Sequence, residues 1–69
     1  MKWVVIVTVA LISAEGKFSS RDDRYELPAG STKAGCVLKL AEEVAKAKEE
    51  EEKKKPRHLF VGGLCRQEK

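Results

Sequence analysis

Cys36, His58 and Cys65 are the side chains best suited to soft-metal binding or nucleophilic chemistry. A structural zinc site needs four such ligands in local pairs, and the sequence has no Cys-x-x-Cys. A cysteine–histidine pair can act as an activated nucleophile when a third group orients the imidazole. The sequence contains no Asn for that role, and 69 residues leave little room for a substrate cleft. The acids Glu49, Glu50, Glu51 and Glu52 are consecutive on a polar run. That arrangement neither buries a carboxyl nor sets two carboxyls across a pocket, as general acid–base work requires. No catalytic residue, metal ligand or cofactor is expected, and the chain reads as a non-enzyme. Cys36 and Cys65 are left as a candidate disulfide if the chain is secreted, or as small packing residues if it is not. A cysteine near a helix N-terminus can also be redox-active, but inert packing is the simpler reading.

The remaining chemistry is charge and apolar surface. Net charge is +3, with the excess in residues 53–69, where Lys53, Lys54, Lys55, Arg57, Arg66 and Lys69 face a single acid. Such a segment either keeps the chain soluble or steers it toward an acidic partner or phosphates. Lys53, Lys54, Lys55 and Arg57 are the candidate steering residues. At the other end, Trp3 to Ile12 contain one hydroxyl and no charge. The run is too short to cross a bilayer as a helix. As a strand it would carry Trp3, Val5, Val7, Val9 and Leu11 on one face and Val4, Ile6, Thr8, Ala10 and Ile12 on the other. Two apolar faces mark a strand covered on both sides, yet the sequence offers one helix. The second face, with Val4, Ile6 and Ile12 as anchors, is expected to bind a protein partner or a second copy.

The same run also satisfies a secretory signal: Lys2 gives a basic start, the apolar stretch has the usual length, and Ser13-Ala14 precedes a polar segment. Met1-Lys2-Trp3-Val4 resembles the start of albumin-type signal peptides. That resemblance implies a signal over residues 1–14 and a secreted mature peptide, 15–69, acting as a ligand or toxin-like factor. Ile12 stands where a small residue is favoured, and Val and Ile dominate the run, which suits extended chain. The strand reading, a single cytoplasmic domain over residues 1–69, is preferred.

The elements that would position these residues follow from periodicity. Residues 14–23 read as a turn region, with Gly16 supplying a positive φ, and Arg24 to Leu27 as a short second strand. After Pro28-Ala29-Gly30, Ser31 or Thr32 can cap a helix. Ala34, Val37, Leu38, Ala41, Val44 and Ala45 recur at helical spacing as its buried face, widened by Cys36 and Leu40, with Lys39, Glu42, Glu43 and Lys46 opposite. Residues 48–55 extend it as a solvated, fraying segment held by the i,i+4 pairs Glu49–Lys53, Glu50–Lys54 and Glu51–Lys55, worth about 0.2–0.5 kcal/mol each. Pro56 stops it. His58 to Arg66 form a last strand, with Leu59, Val61 and Cys65 on one face and Phe60 and Leu64 on the other.

The passage Tyr25-Glu26-Leu27-Pro28-Ala29-Gly30-Ser31-Thr32, with the helix bearing Val37, Leu38 and Leu40, resembles β-grasp, ubiquitin-like proteins over residues 25–40. That resemblance implies partner binding through the sheet. Leu59-Phe60-Val61-Gly62-Gly63-Leu64 resembles the first strand of RNA-recognition domains, but only five residues follow it, so the rest of such a domain has no place. The expectation is a small α+β domain in ββαβ order, one long helix on a three-stranded sheet. It would act as an inhibitor, regulator or assembly subunit, as a homodimer or as a minor subunit of a larger complex. Nucleic acid is the lesser expected partner.

Overall fold

A computed structural model describes residues 2–68. The apolar run forms β1 (Lys2–Ile12), followed by β2 (Phe18–Glu26), helix α1 (Lys33–Glu52) and β3 (His58–Glu68). β1 is the middle strand of a three-stranded sheet ordered β2-β1-β3 and is antiparallel to both neighbours. The helix carries the chain from one edge strand to the other, across β1. The result is the expected small ββαβ α+β domain, with a shape compatible with a β-grasp-like arrangement. No helix among the described residues is long and apolar enough to cross a membrane.

Local chemistry explains each junction. The β1–β2 turn spans Ser13 to Lys17, closed by the Gly16 amide donating to the Ser13 carbonyl (2.9 Å) and the Ser13 amide to the Lys17 carbonyl (2.8 Å). Gly16 takes φ +87°, where glycine carries no penalty. Thr32 caps α1 by accepting a hydrogen bond from the Gly35 amide at 3.1 Å. The helix ends before Lys55, whose φ of +51° precedes Pro56.

The core lies between α1 and the odd-numbered face of β1. Val5, Val7, Val9 and Cys36 are buried, flanked by Trp3, Leu11, Tyr25, Leu40, Val44, Leu59 and Val61. Each buried valine side chain contributes about 1.5–3 kcal/mol relative to exposure. The Cys36–Cys65 disulfide joins α1 to β3, with the Cα atoms 6.1 Å apart.

Three expectations are corrected. Residues 18–23 are not loop: β2 starts at Phe18, because all of β1 from Val4 to Ile12 finds a hydrogen-bonding partner there. Its polar sequence suits an exposed edge strand. The helix is also rolled about its axis relative to its apolar pattern. Cys36, Leu40, Val44 and Ala47 face the sheet, while Leu38 is 72% exposed and Val37 48%, with Ala34, Ala41 and Ala45 outward. The disulfide at Cys36 and the seat for Leu40 above Gly63 fix that roll. Glu43 and Glu51 consequently turn inward. Lys39 reaches Glu43 at 3.0 Å, and Lys54 reaches Glu51 at 3.1 Å. Finally, the helix is regular to Glu52, and Lys54 pairs with Glu51 at i,i+3 rather than with Glu50.

Candidate functional site

Among the described residues, no layer covers the sheet face opposite α1. Cross-strand register puts Lys2, Val4, Ile6, Thr8, Ala10 and Ile12 along its centre. Phe18, Ser20, Asp22, Arg24 and Glu26 flank them on β2. His58, Phe60, Gly62, Leu64, Arg66 and Glu68 flank them on β3.

The two ends of this face are chemically distinct. Around Val4 the charges satisfy one another. Lys2 pairs with Glu26, and Arg24 binds the Glu68 carboxylate through both terminal guanidinium nitrogens, one of them at 2.9 Å. Arg66 lies 3.6 Å from the same carboxylate. The Lys2 ammonium holds Glu26, and the Arg24 guanidinium holds Glu68, below the usual carboxylate range. Val4, whose cross-strand neighbours are Glu26 and Arg66, is 0% exposed within the chain itself. It is therefore not an accessible anchor, which corrects its place among the expected binding residues.

At the other end the face is apolar and open. Ile12 is half-buried between Phe18 and His58, and Ala10 lies between Ser20 and Phe60. Phe18 is 70% exposed and Phe60 60%. Ile6 is half-buried between Arg24 and Leu64, toward the middle of the sheet. The Phe60 ring lies over Gly62: a Cβ on that glycine would stand 2.9 Å from Phe60 Cζ. A hollow of about 230 Å³ between Phe18 and Phe60 is floored by Ala10 and Ile12. A larger cleft of about 430 Å³ lies between the end of α1 and β3, lined by Lys48, Glu52 and Lys55 and by Leu59, Phe60 and Val61, of which Leu59 and Val61 belong to the helix-facing side of the sheet.

The expected basic residues border this end. Lys53, Lys54, Lys55 and Arg57 are all exposed. Arg57 also clamps the turn: its amide donates to the Ile12 carbonyl at 2.7 Å and its guanidinium to the Ala14 carbonyl at 3.1 Å. Lys69 lies outside the described residues. Cys36 and Cys65 meet on the helix side of the sheet, whereas His58 sits on the open side at the opposite end of β3. Among the described residues no group of three or more His, Cys, Asp or Glu is placed to hold a metal ion.

Sequence reasoning missed Phe18 and Lys48. Phe18 directly follows the Gly16-Lys17 turn and starts an alternation through Ser20, Asp22 and Arg24, which was the available signal. Lys48 becomes a cleft residue only through the roll of the helix. Comparisons with protein families, curated proteins and solved structures find no match to this chain.

Proposed function

We propose that this chain is a small non-enzymatic binding protein, a regulator, inhibitor or assembly subunit, that docks a partner on the open sheet face. The observation that carries this reading is the exposure of Phe18 and Phe60 together with Leu64, which is 52% exposed, on one uncovered surface. Large aromatic side chains make the strongest anchors at interfaces, and contiguous apolar patches on small proteins commonly mark binding sites. Ile6 and Ile12 contribute half-buried flanks. Lys53, Lys55 and Arg57 steer the approach of an acidic partner, raising the encounter rate more than the affinity. The β-grasp resemblance supports the same use of the sheet.

The test compares the native size of a tagged chain with that of a Phe18→Ser/Phe60→Ser variant expressed in the same source. The wild-type chain is expected in a complex larger than a 7.7 kDa monomer. The variant, still folded by circular dichroism, is expected as free monomer. Free wild-type monomer, or an unchanged complex for the variant, overturns the reading.

The disulfide favours a second reading, an extracellular ligand, because such bonds persist in oxidising compartments. That ligand would need to retain β1, since residues 2–12 are the strand joining β2 to β3. An intact mass from the native source showing residues 1–14 present and two hydrogens lost supports it. A reduced chain removes its support.

A further inference from the structure

Residues 48–55 hold four lysines and four glutamates, so the end of α1 is electrically neutral as a whole. Its charges are nevertheless not all matched. Glu51 turns under the helix, 3.6 Å from Arg21 and 3.1 Å from Lys54. Lys48 and Glu52 have the same order and spacing as Lys39 and Glu43, which meet at 3.0 Å. Yet Lys48, Glu52 and Lys55, which line one cleft, have no ion-pair partner within 4.0 Å among the described residues. Glu49 and Glu50 are also without one among the described residues, and neither lines the cleft.

The floor of the cleft is apolar. Leu59 and Val61 face α1 and Phe60 faces the other way, so a cleft bounded by all three opens at the free edge of β3. Its volume of about 430 Å³ falls within the range of small-molecule sites. Lys55 adds a second mark. At φ +51° it is the one non-glycine residue in the left-handed region among the described residues. Glycine takes that conformation without penalty and lysine does not, and strained residues of this kind concentrate where ligands bind.

We propose that this cleft binds a free α-amino acid with a large aliphatic side chain. Glu52 accepts the ammonium, where the negative end of the helix dipole adds to the attraction. Lys48 and Lys55 donate to the carboxylate. The side chain lies on Leu59 and Val61, beside Phe60, and loses apolar surface to them. The neutrality of the segment selects between classes of ligand. A simple anion meets Glu49, Glu50 and Glu52 as well as the lysines, and a simple cation meets the lysines as well as the acids. A molecule carrying both charges around one carbon satisfies both kinds of unpaired group at once. The cleft opens at the strand edge, so its occupancy does not depend on a partner docked on the open sheet face.

The test titrates the full-length, disulfide-intact, isotope-labelled chain with L-leucine and follows the amide NMR shifts. The shifts are expected to centre on residues 48–61 and to saturate within about 10 mM. Isocaproate is leucine without its ammonium, and isopentylamine is leucine without its carboxylate. Each should bind about threefold or more weakly than leucine. Glu52→Gln should weaken leucine by about the same factor without weakening isocaproate. Lys48→Gln with Lys55→Gln should weaken leucine without weakening isopentylamine. Lys55→Gly should weaken leucine and at the same time raise the urea midpoint, because glycine relieves the positive φ. Absence of saturable shifts overturns the proposal. So does binding of either single-charge analogue as tight as that of leucine, which marks apolar contact alone or a simple ion site. Loss of isocaproate together with leucine in Glu52→Gln also overturns it, because Glu52 then shapes the cleft and does not hold an ammonium.

Discussion

Gly62 and Gly63 sit side by side in β3 and face opposite ways, so they answer to different neighbours. A Cβ on Gly63 would run into the backbone oxygen of Ile6 and stand 2.7 Å from Leu40 Cδ1 and 3.2 Å from Val7 Cα. Backbone cannot yield there, and Gly63→Ala should cost about 1–3 kcal/mol in urea unfolding. At Gly62 the obstacle is the far end of a movable ring, and Gly62→Ala should change stability by no more than about 0.5 kcal/mol. Equal losses at the two positions would contradict the face assignment. The carboxylates supply a second expectation at this scale. Glu26, held by Lys2, Glu68, held by Arg24, and Glu43, held by Lys39, all ionise below the usual 4.5 in the folded chain. Their ionisation stabilises the fold above that value, and the contribution disappears as pH falls from 4.5 through the lowered values. Urea midpoints should drop between pH 5 and pH 3, and Glu68→Gln should flatten part of the drop. A profile without slope over that range contradicts these pairings.

Among the elements, β1, the helix and β3 were legible because each carries its own strong pattern. The apolar run, the Thr32 cap, the Pro56 stop and the split of Leu59, Val61 and Cys65 from Phe60 and Leu64 all appear in the structure as read. What local pattern could not give was decided by long-range contacts. β2 is strongly polar over residues 19–24 and is extended because β1 is beside it, so its first half resembled loop. The helix has two apolar stripes. The one with more residues, Ala34, Val37, Leu38, Ala41 and Ala45, lost to the one tethered by a disulfide and seated on Gly63. The same roll buried Glu43 and Glu51 and moved Lys48 to the cleft. Closing a loop of 29 residues, the disulfide should contribute about 3–4 kcal/mol. A domain this small carries only about 3–5 kcal/mol net. Reduction, or Cys36→Ala with Cys65→Ala, should therefore bring the fold close to its unfolding midpoint at room temperature. Unchanged thermal melting after full reduction would show that α1 is held by packing alone.

The whole molecule is two layers thick, with extents of 44 × 19 × 12 Å. A single helix can cover one face of a sheet, and the second face has to reach water or a partner. This chain treats the two halves of that second face differently, roofing Val4 with paired charges and leaving Phe18 and Phe60 open. It also leaves a second apolar surface, the outward helix stripe with Val37 and Leu38. On the proposed function a partner docks on the sheet and none docks on that stripe. Hydroxyl-radical footprinting of the chain, first isolated and then within its native complex, separates the two surfaces directly. Phe18, Phe60, Val37 and Leu38 should all be modified in the isolated chain. In the complex, Phe18 and Phe60 should become protected while Val37 and Leu38 stay reactive. Protection of Val37 and Leu38 with Phe18 and Phe60 still reactive would contradict the account.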